Sequence, residues 1–332
     1  MRRPLLLAGL CLFAGLLALA QQPPPPEAPA LRVDVRLVNV DVTVVDARGK
    51  FIPGLAARNF RLREDGAPQT VAHFLPTEAP VRIALLVEVS PAVFLIRYDH
   101  LAAAGFLLAG LRPEDEAALL TYARSARAEL DFTRDKAGVE RRLHQVGRFG
   151  LGMADVRLLD AVAGTLDWLG PPPQRTAVVV IATGLDSGSR AAWEELERRA
   201  GSSQITFFAV ATGRLLRGEP EGKGKTGDRS ADAAFAEADA RLRALAAATA
   251  GEAYFPESAD DLERIYREIA ERLRHLYSLG YYPDNRARDA AYRRISVELV
   301  DEAGRPLALR DPKGNPVTPR LFARPGYFAP RD

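Results

Sequence analysis

Cysteine is almost missing from this chain of 332 residues: there is one, Cys11. A small disulfide-stapled scaffold is therefore excluded. Histidine is scarce as well. His73, His100, His144 and His275 show neither H-x-x-x-H nor E-x-x-H spacing, so zinc chemistry is not indicated and each reads as a surface or packed residue. No charge of one sign dominates. Lys plus Arg number 45 against 43 Asp plus Glu, and without Arg2 and Arg3 the two signs balance at 43 each. That leaves no basic field for nucleic acid. Beyond Ala20 no apolar run looks long enough to span a bilayer.

What is present suits a packed protein. Hydrophobic residues make up 47%, charged residues 27% and aromatics 8%, enough for a core and too apolar for disorder. The length suggests two domains, or one large domain with an elaboration.

Arg2 and Arg3 precede an apolar run from Leu5 to Ala20 that ends Ala18-Leu19-Ala20 before Gln21. This is the layout of a secretory signal, with cleavage expected after about Ala20 and export to the periplasm or beyond. A retained anchor is the alternative. Cys11 follows Ala8-Gly9-Leu10 and lacks the small residue that lipid attachment wants directly before it. Residues 21–30 are Pro-rich and read as a stiff linker.

From Leu31 apolar and polar residues alternate through Val33, Val35 and Leu37, then after a phase slip through Val38, Val40, Val42 and Val44, which predicts a strand with one buried face. Phe51 to Leu55 continues it after a turn. A second strand is expected at Asn59 to Arg63, an Asp-Gly turn at Asp65-Gly66, and another strand from Val71 to Phe74. After Pro80 the pattern changes. Val81 to Val89 is a nearly continuous apolar strand, as when helices cover both faces. Further strands are expected at Ala117 to Tyr122, Thr176 to Thr183 and Gln204 to Ala211. Helices are expected at Phe94 to Leu111, Lys136 to Val146, Asp155 to Leu169, Arg190 to Ala200, Asp232 to Ala250 and Ala259 to Leu276.

Strands alternating with helices predict an α/β fold, a doubly wound and mostly parallel sheet over residues 80–276, with a flexible loop at 213–230. The β-rich head, residues 31–79, and tail, residues 277–332, flank this centre. They are expected to pair into one sandwich-like domain, the alternative being that each packs separately.

Several stretches carry a family resemblance: VNVDVTVVDARGKFIPGL, NFRLREDGAPQTVAHF, the strand into Glu88-Val89-Ser90, VVVIATGLDSGS, AAATAGEAYF, LRHLYSLGYYPDN, YRRISVEL and ARPGYFAP. In this order they resemble bacterial secreted proteins with a von Willebrand factor A-related domain, a group abundant in Acidobacteria. The resemblance implies protein–protein or adhesion-type binding at the rim where the central strands end.

It also implies a metal-ion-dependent adhesion site: Asp-x-Ser-x-Ser, a Thr from a second loop and an Asp from a third, around Mg²⁺ or Mn²⁺. This chain departs from that pattern. Glu88 stands at the first Asp, Ser90 matches the first Ser, and Ala92 replaces the second. Thr183 takes the place of the third-loop Asp, and Val156, beside Asp155, falls where the Thr belongs. The degenerate site would comprise Glu88, Ser90, Asp155, Thr183 and Asp186, and the partner-binding rim Ser90, Pro91, Asp186 and Ser187. No cofactor is then required, and Mg²⁺ or Mn²⁺ would assist weakly at most. The residues themselves favour a plainer reading, Glu88 and Ser90 as a strand end and helix N-cap with Pro91 at the first helical position, and Asp186 as a cap for the helix from Arg190.

The expected function is an exported, non-enzymatic module that binds a protein partner. One alternative is an envelope hydrolase using Glu88, Asp155 and Asp186 as a carboxylate cluster. The other is a structural envelope protein that assembles with itself. Asp186-Ser187-Gly188-Ser189-Arg190 is not G-x-S-x-G, and Gly147 to Gly152 lacks the Gly-Lys-Ser/Thr of a phosphate loop.

Overall fold

The computed structural model describes residues 37–146, 155–172, 175–213, 215, 229–311 and 313–331. The leader, the proline linker, the Gly147 to Gly152 segment and most of the 213–230 loop fall outside the described residues. Strand β1 (Val38–Val45) is followed by β2 (Phe60–Glu64), β3 (Ala67–Gln69) and β4 (Val71–Glu78). The chain then enters β5 (Arg82–Glu88), α1 (Arg97–Ala109), β6 (Glu116–Tyr122), β7 (Ala126–Thr133), α2 (Lys136–Val146) and α3 (Leu158–Leu169). Next come β8 (Thr176–Ala182), α4 (Trp193–Ser202), β9 (Ile205–Ala211), α5 (Arg229–Ala247), β10 (Ala253–Tyr254) and α6 (Ala259–Arg274). The tail contains β11 (His275–Tyr281), β12 (Tyr292–Leu299), β13 (Leu309–Arg310), β14 (Pro316–Val317), β15 (Arg320–Ala323) and β16 (Gly326–Phe328).

The central sheet has the order β10-β9-β8-β5-β6-β7. All its pairs are parallel except β6 with β7. Side chains alternate along each strand, so β5 serves two cores. Ile83, Leu85 and Val87 pack with Ala103 and Leu107 of α1 and Ile265 and Ile269 of α6. Ala84 and Leu86 pack with Leu159 and Val162 of α3, Leu196 of α4 and Leu242 of α5. This is the doubly wound α/β fold, with the strand order reversing between β5 and β8.

Head and tail share a third core. β1 pairs antiparallel with β11 and with β15, and β2 pairs with β12. The two resulting sheets, β15-β1-β11-β4 and β16-β12-β2-β3, enclose Val40, Val42, Val44, Phe60, Leu62, Tyr277, Leu279 and Ile295. The alternative of separate packing is thus overturned by the pairing itself. Glu64 is buried here and accepts from Tyr281 Oη at 2.5 Å and Tyr327 Oη at 3.0 Å.

Several local expectations are corrected. The last central helix ends at Arg274, and Leu276 already lies in β11, because Leu276 and Tyr277 pair with Thr77 and Pro76 of β4. Phe51 makes one bridge to Val45 and the strand does not continue to Leu55. The edge strand β7 was not expected, although Ala126, Ala128, Leu130 and Phe132 alternate with charged residues. The stretch Pro91–Ala109 is by length and composition apolar enough to cross a bilayer, contrary to expectation. Here it lies over the sheet, with Val93, Ile96, Ala103, Ala104 and Leu107 buried.

Candidate functional site

In open α/β sheets the crevice beyond the carboxyl ends of the strands, at the point where strand order reverses, is where ligands bind. In this chain that point is occupied by Glu88, the last residue of β5, by Ser90 just beyond it and by Thr183 after β8. All three are fully buried. Both oxygens of the Glu88 carboxyl are taken. Ser90 Oγ donates to Oε1 at 2.5 Å. The amide of Thr183 donates to Oε2 at 2.7 Å, its hydroxyl at 2.8 Å, and Tyr122 Oη at 3.4 Å. Ser90 Oγ also accepts from the amide of Ala92 at 3.2 Å, capping the 3-10 helix Pro91–Ile96. Burial raises the Glu88 pKa above its ordinary value, and the bonds from Ser90 and Thr183 oppose that only in part.

A second buried group supports this one from below. His100 of α1 donates from Nε2 to the main-chain carbonyl of Glu88 at 2.9 Å, and its Nδ1 lies 2.8 Å from Thr212 Oγ1. Burial lowers the His100 pKa to about 4, so the ring is neutral at pH 7 and accepts the Thr212 proton at Nδ1. Tyr122, His100 and Thr212 were not expected at the site. His100 carries no spacing signal, since its partners lie 12 and 112 residues away.

The second and third loops are tied to each other rather than to Glu88. Ser187 Oγ accepts from the amide of Val156 at 2.8 Å, and the Ser187 amide donates to the Val156 carbonyl at 2.7 Å. Asp186 accepts from the amides of Leu159, Gly188 and Ser189 at 3.1, 3.0 and 2.9 Å, and from Ser189 Oγ at 2.6 Å. It therefore caps α3, not the helix after Arg190. The amides of Arg190 and Ala191 instead go to Asp160 at 2.9 and 2.8 Å. Burial alone would raise the Asp186 pKa, but its bonds from Ser189, Leu159 and Gly188 hold it below the usual value. Asp155 faces Arg157 at 3.4 Å and Arg124 at 3.9 Å, half exposed.

The expected metal ligands thus separate. Mg²⁺ or Mn²⁺ needs hard oxygens with free lone pairs around an accessible place. Glu88 Oε2 takes three donors and Oε1 is engaged by Ser90 Oγ, Ala92 and Val156 supply no oxygen from their side chains, and Asp186 is engaged as a cap. Among the described residues no three His, Cys, Asp or Glu form a group that could hold a metal. These residues do not fit the ion, and Glu88, Asp155 and Asp186 do not form the cluster that the hydrolase alternative requires. Ser90, at 0% exposure, is also removed from the partner-binding rim; Pro91 and Asp186 are half-buried and Ser187 is exposed.

What the rim does present is apolar. Directly after Ser90, Leu95 is 83% and Tyr98 74% exposed. The Arg97 guanidinium lies 4.7 Å from the ring centre of Phe94 and 4.5 Å from that of Tyr98, and donates to the Phe94 carbonyl at 2.9 Å. Two aromatic rings are therefore held in place around one cation.

No protein-family model matches the chain, and no curated protein matches it. Solved structures do. The conserved hypothetical protein BatB from Bacteroides thetaiotaomicron is 16% identical over 58% of this chain and 98% of that one, with a TM-score of 0.41. A von Willebrand factor type A protein from Catenulispora acidiphila is 10% identical over 88% of this chain and 74% of that one, at 0.44. The ArnB paralog VWA2 from Sulfolobus acidocaldarius is 9% identical over 86% and 75%, at 0.40. The chain is similar to these in fold.

Proposed function

We propose that this is an exported, non-enzymatic binding module that takes a protein partner on the rim at the carboxyl ends of its central strands, without a metal ion. The observation that carries this is the exposed pair Leu95 and Tyr98, with half-buried Phe94 between Ser90 and them, beside a buried Glu88. A metal-centred rim presents an open ligand position to a partner's carboxylate. This rim offers a tyrosine ring and an Arg, residue types that carry much of the binding energy at protein interfaces, next to an exposed leucine.

The test is capture of a partner from envelope extracts by the wild-type protein and by Leu95→Asp with Tyr98→Ala, each with Mg²⁺ and with a chelator. The reading expects one set of captured proteins, unchanged by the chelator and lost with the double variant. Capture that needs Mg²⁺, or that survives the double variant, overturns it.

A further inference from the structure

At the opposite end of the sheet, where β8 and β9 begin, the outer face of β15-β1-β11 packs against the α/β domain. The same alternation that sends Val40 and Val42 inward places Asn39, Asp41 and Thr43 on this outer face. They line a solvent-open cavity of about 330 Å³, with Asn39 and Asp41 exposed at it and Thr43 buried, together with Arg175, Arg272 and Arg324. Small-ligand sites favour junctions between packed units, and this one differs from the usual apolar pocket in being lined mainly by polar and charged residues, which suits a charged ligand.

The charges in it are unevenly answered. Arg272 is paired with Glu252 at 2.7 Å, yet its buried Nε has no acceptor among the described residues. Arg175 donates to the carbonyls of Leu273 at 2.6 Å and Arg272 at 3.3 Å, at the end of α6. Arg324 donates to the carbonyls of Gly201 at 3.2 Å and Ile205 at 3.4 Å. Neither has a carboxylate in ion-pair contact among the described residues. Burial lowers the pKa of both, with the charge of Asp41 acting the other way. These carbonyls use only part of each guanidinium, which has five donors in all. Asp41 is the one carboxylate among the described lining residues.

We propose that this cavity binds a small oxyanion, the carboxylate or phosphate group of a small molecule, between Arg175 and Arg324. A planar fork of donors matches two oxygens of such a group at once. Thr206 and Ser278 also line this space and would suit further polar atoms of the ligand, while the Thr43 hydroxyl is taken by the carbonyls of Arg272 and His275. The site is independent of the rim and of the partner proposed there.

The experiment is calorimetric titration of inorganic phosphate and of malonate into the protein, with sodium chloride at matched ionic strength as the control. Saturable binding by one or both is expected, weakened about tenfold or more in Arg324→Gln. Asp41→Asn, which removes the repelling charge from an exposed position, should tighten binding by about threefold or more. No saturable binding up to about 20 mM, or binding that both variants leave unchanged, overturns the site. If Arg324→Gln fails to fold, the wild-type protein and Asp41→Asn decide the matter.

Discussion

Thr183 closes on Glu88 across 95 residues of sequence, giving one carboxyl oxygen both its amide and its hydroxyl, at 2.7 and 2.8 Å. The parallel register of β5 on β8, with Val87 opposite Ile181, brings the two strand ends level. An aspartate in place of Thr183 would set a second carboxylate against Glu88. A threonine gives donors instead, and these two hydrogen bonds join the two loops.

The first prediction concerns Glu88 itself. Glu88→Ala leaves four donors facing an apolar void and should lose about 3–5 kcal/mol in urea unfolding. Glu88→Gln keeps the shape without a charge to bury. The folded pKa is raised above 4.5, so the carboxyl contributes stability below that value and loses it as pH rises through the folded pKa. Glu88→Gln should therefore be more stable than wild type at pH 8 and gain little at pH 4. A loss at pH 8 equal to that of Glu88→Ala would contradict this.

His100 works in the other direction. Its folded pKa falls from 6.5 to about 4, so the unfolded chain binds the extra proton first. Stability is lost as pH falls from 6.5 towards 4, by roughly 3 kcal/mol at full effect. His100→Gln, which cannot titrate, should remove that slope. Unfolding midpoints from pH 7 to pH 4 would show the difference between the two proteins.

Much of this architecture is legible in the residues, and the part that is not has a physical cause. The nearly continuous apolar run Val81 to Val89 announces a strand covered on both faces, and its end at Glu88-Val89-Ser90 marks the rim. The tie to Thr183 depends on which strand lies beside β5, and no local pattern carries that. Asp186 caps α3 rather than the nearer helix because the two loops cross above the sheet, a long-range event. The β7 strand did have its signal, an alternation starting at Ala126. The Leu95 and Tyr98 surface also left a trace, since apolar residues in that stretch exceed the single stripe that one buried helix face needs.

The junction between the two halves of the molecule rests on a buried ion pair. Asp115, fully buried, accepts from Arg274 at 2.8 Å and from the amides of Val81 and Arg112 at 2.9 and 2.7 Å. Arg274 is the last residue of α6, just before β11. Removing one partner strands a buried charge, so Asp115→Ala should lose about 3–5 kcal/mol. Exchanging the exposed pair Arg267 and Glu263 for alanines should change stability by less than about 1 kcal/mol. Parallel urea titrations of the two variants make the comparison.

The exposed patch should be dispensable for folding. Leu95→Ala and Tyr98→Ala remove little buried area and should each shift stability by about 0.5 kcal/mol or less. A larger loss would place these side chains in the packing of the domain and not on an interaction surface.

The central claim is that Glu88 has replaced the ion at this rim. Calorimetric titration of Mg²⁺ and Mn²⁺ into the protein, beside Ser90→Ala, tests it most directly. No saturable binding is expected for either protein. Saturable binding to the wild type that is lost in Ser90→Ala would contradict the account, because the carboxyl would then have to leave Thr183 to hold a metal.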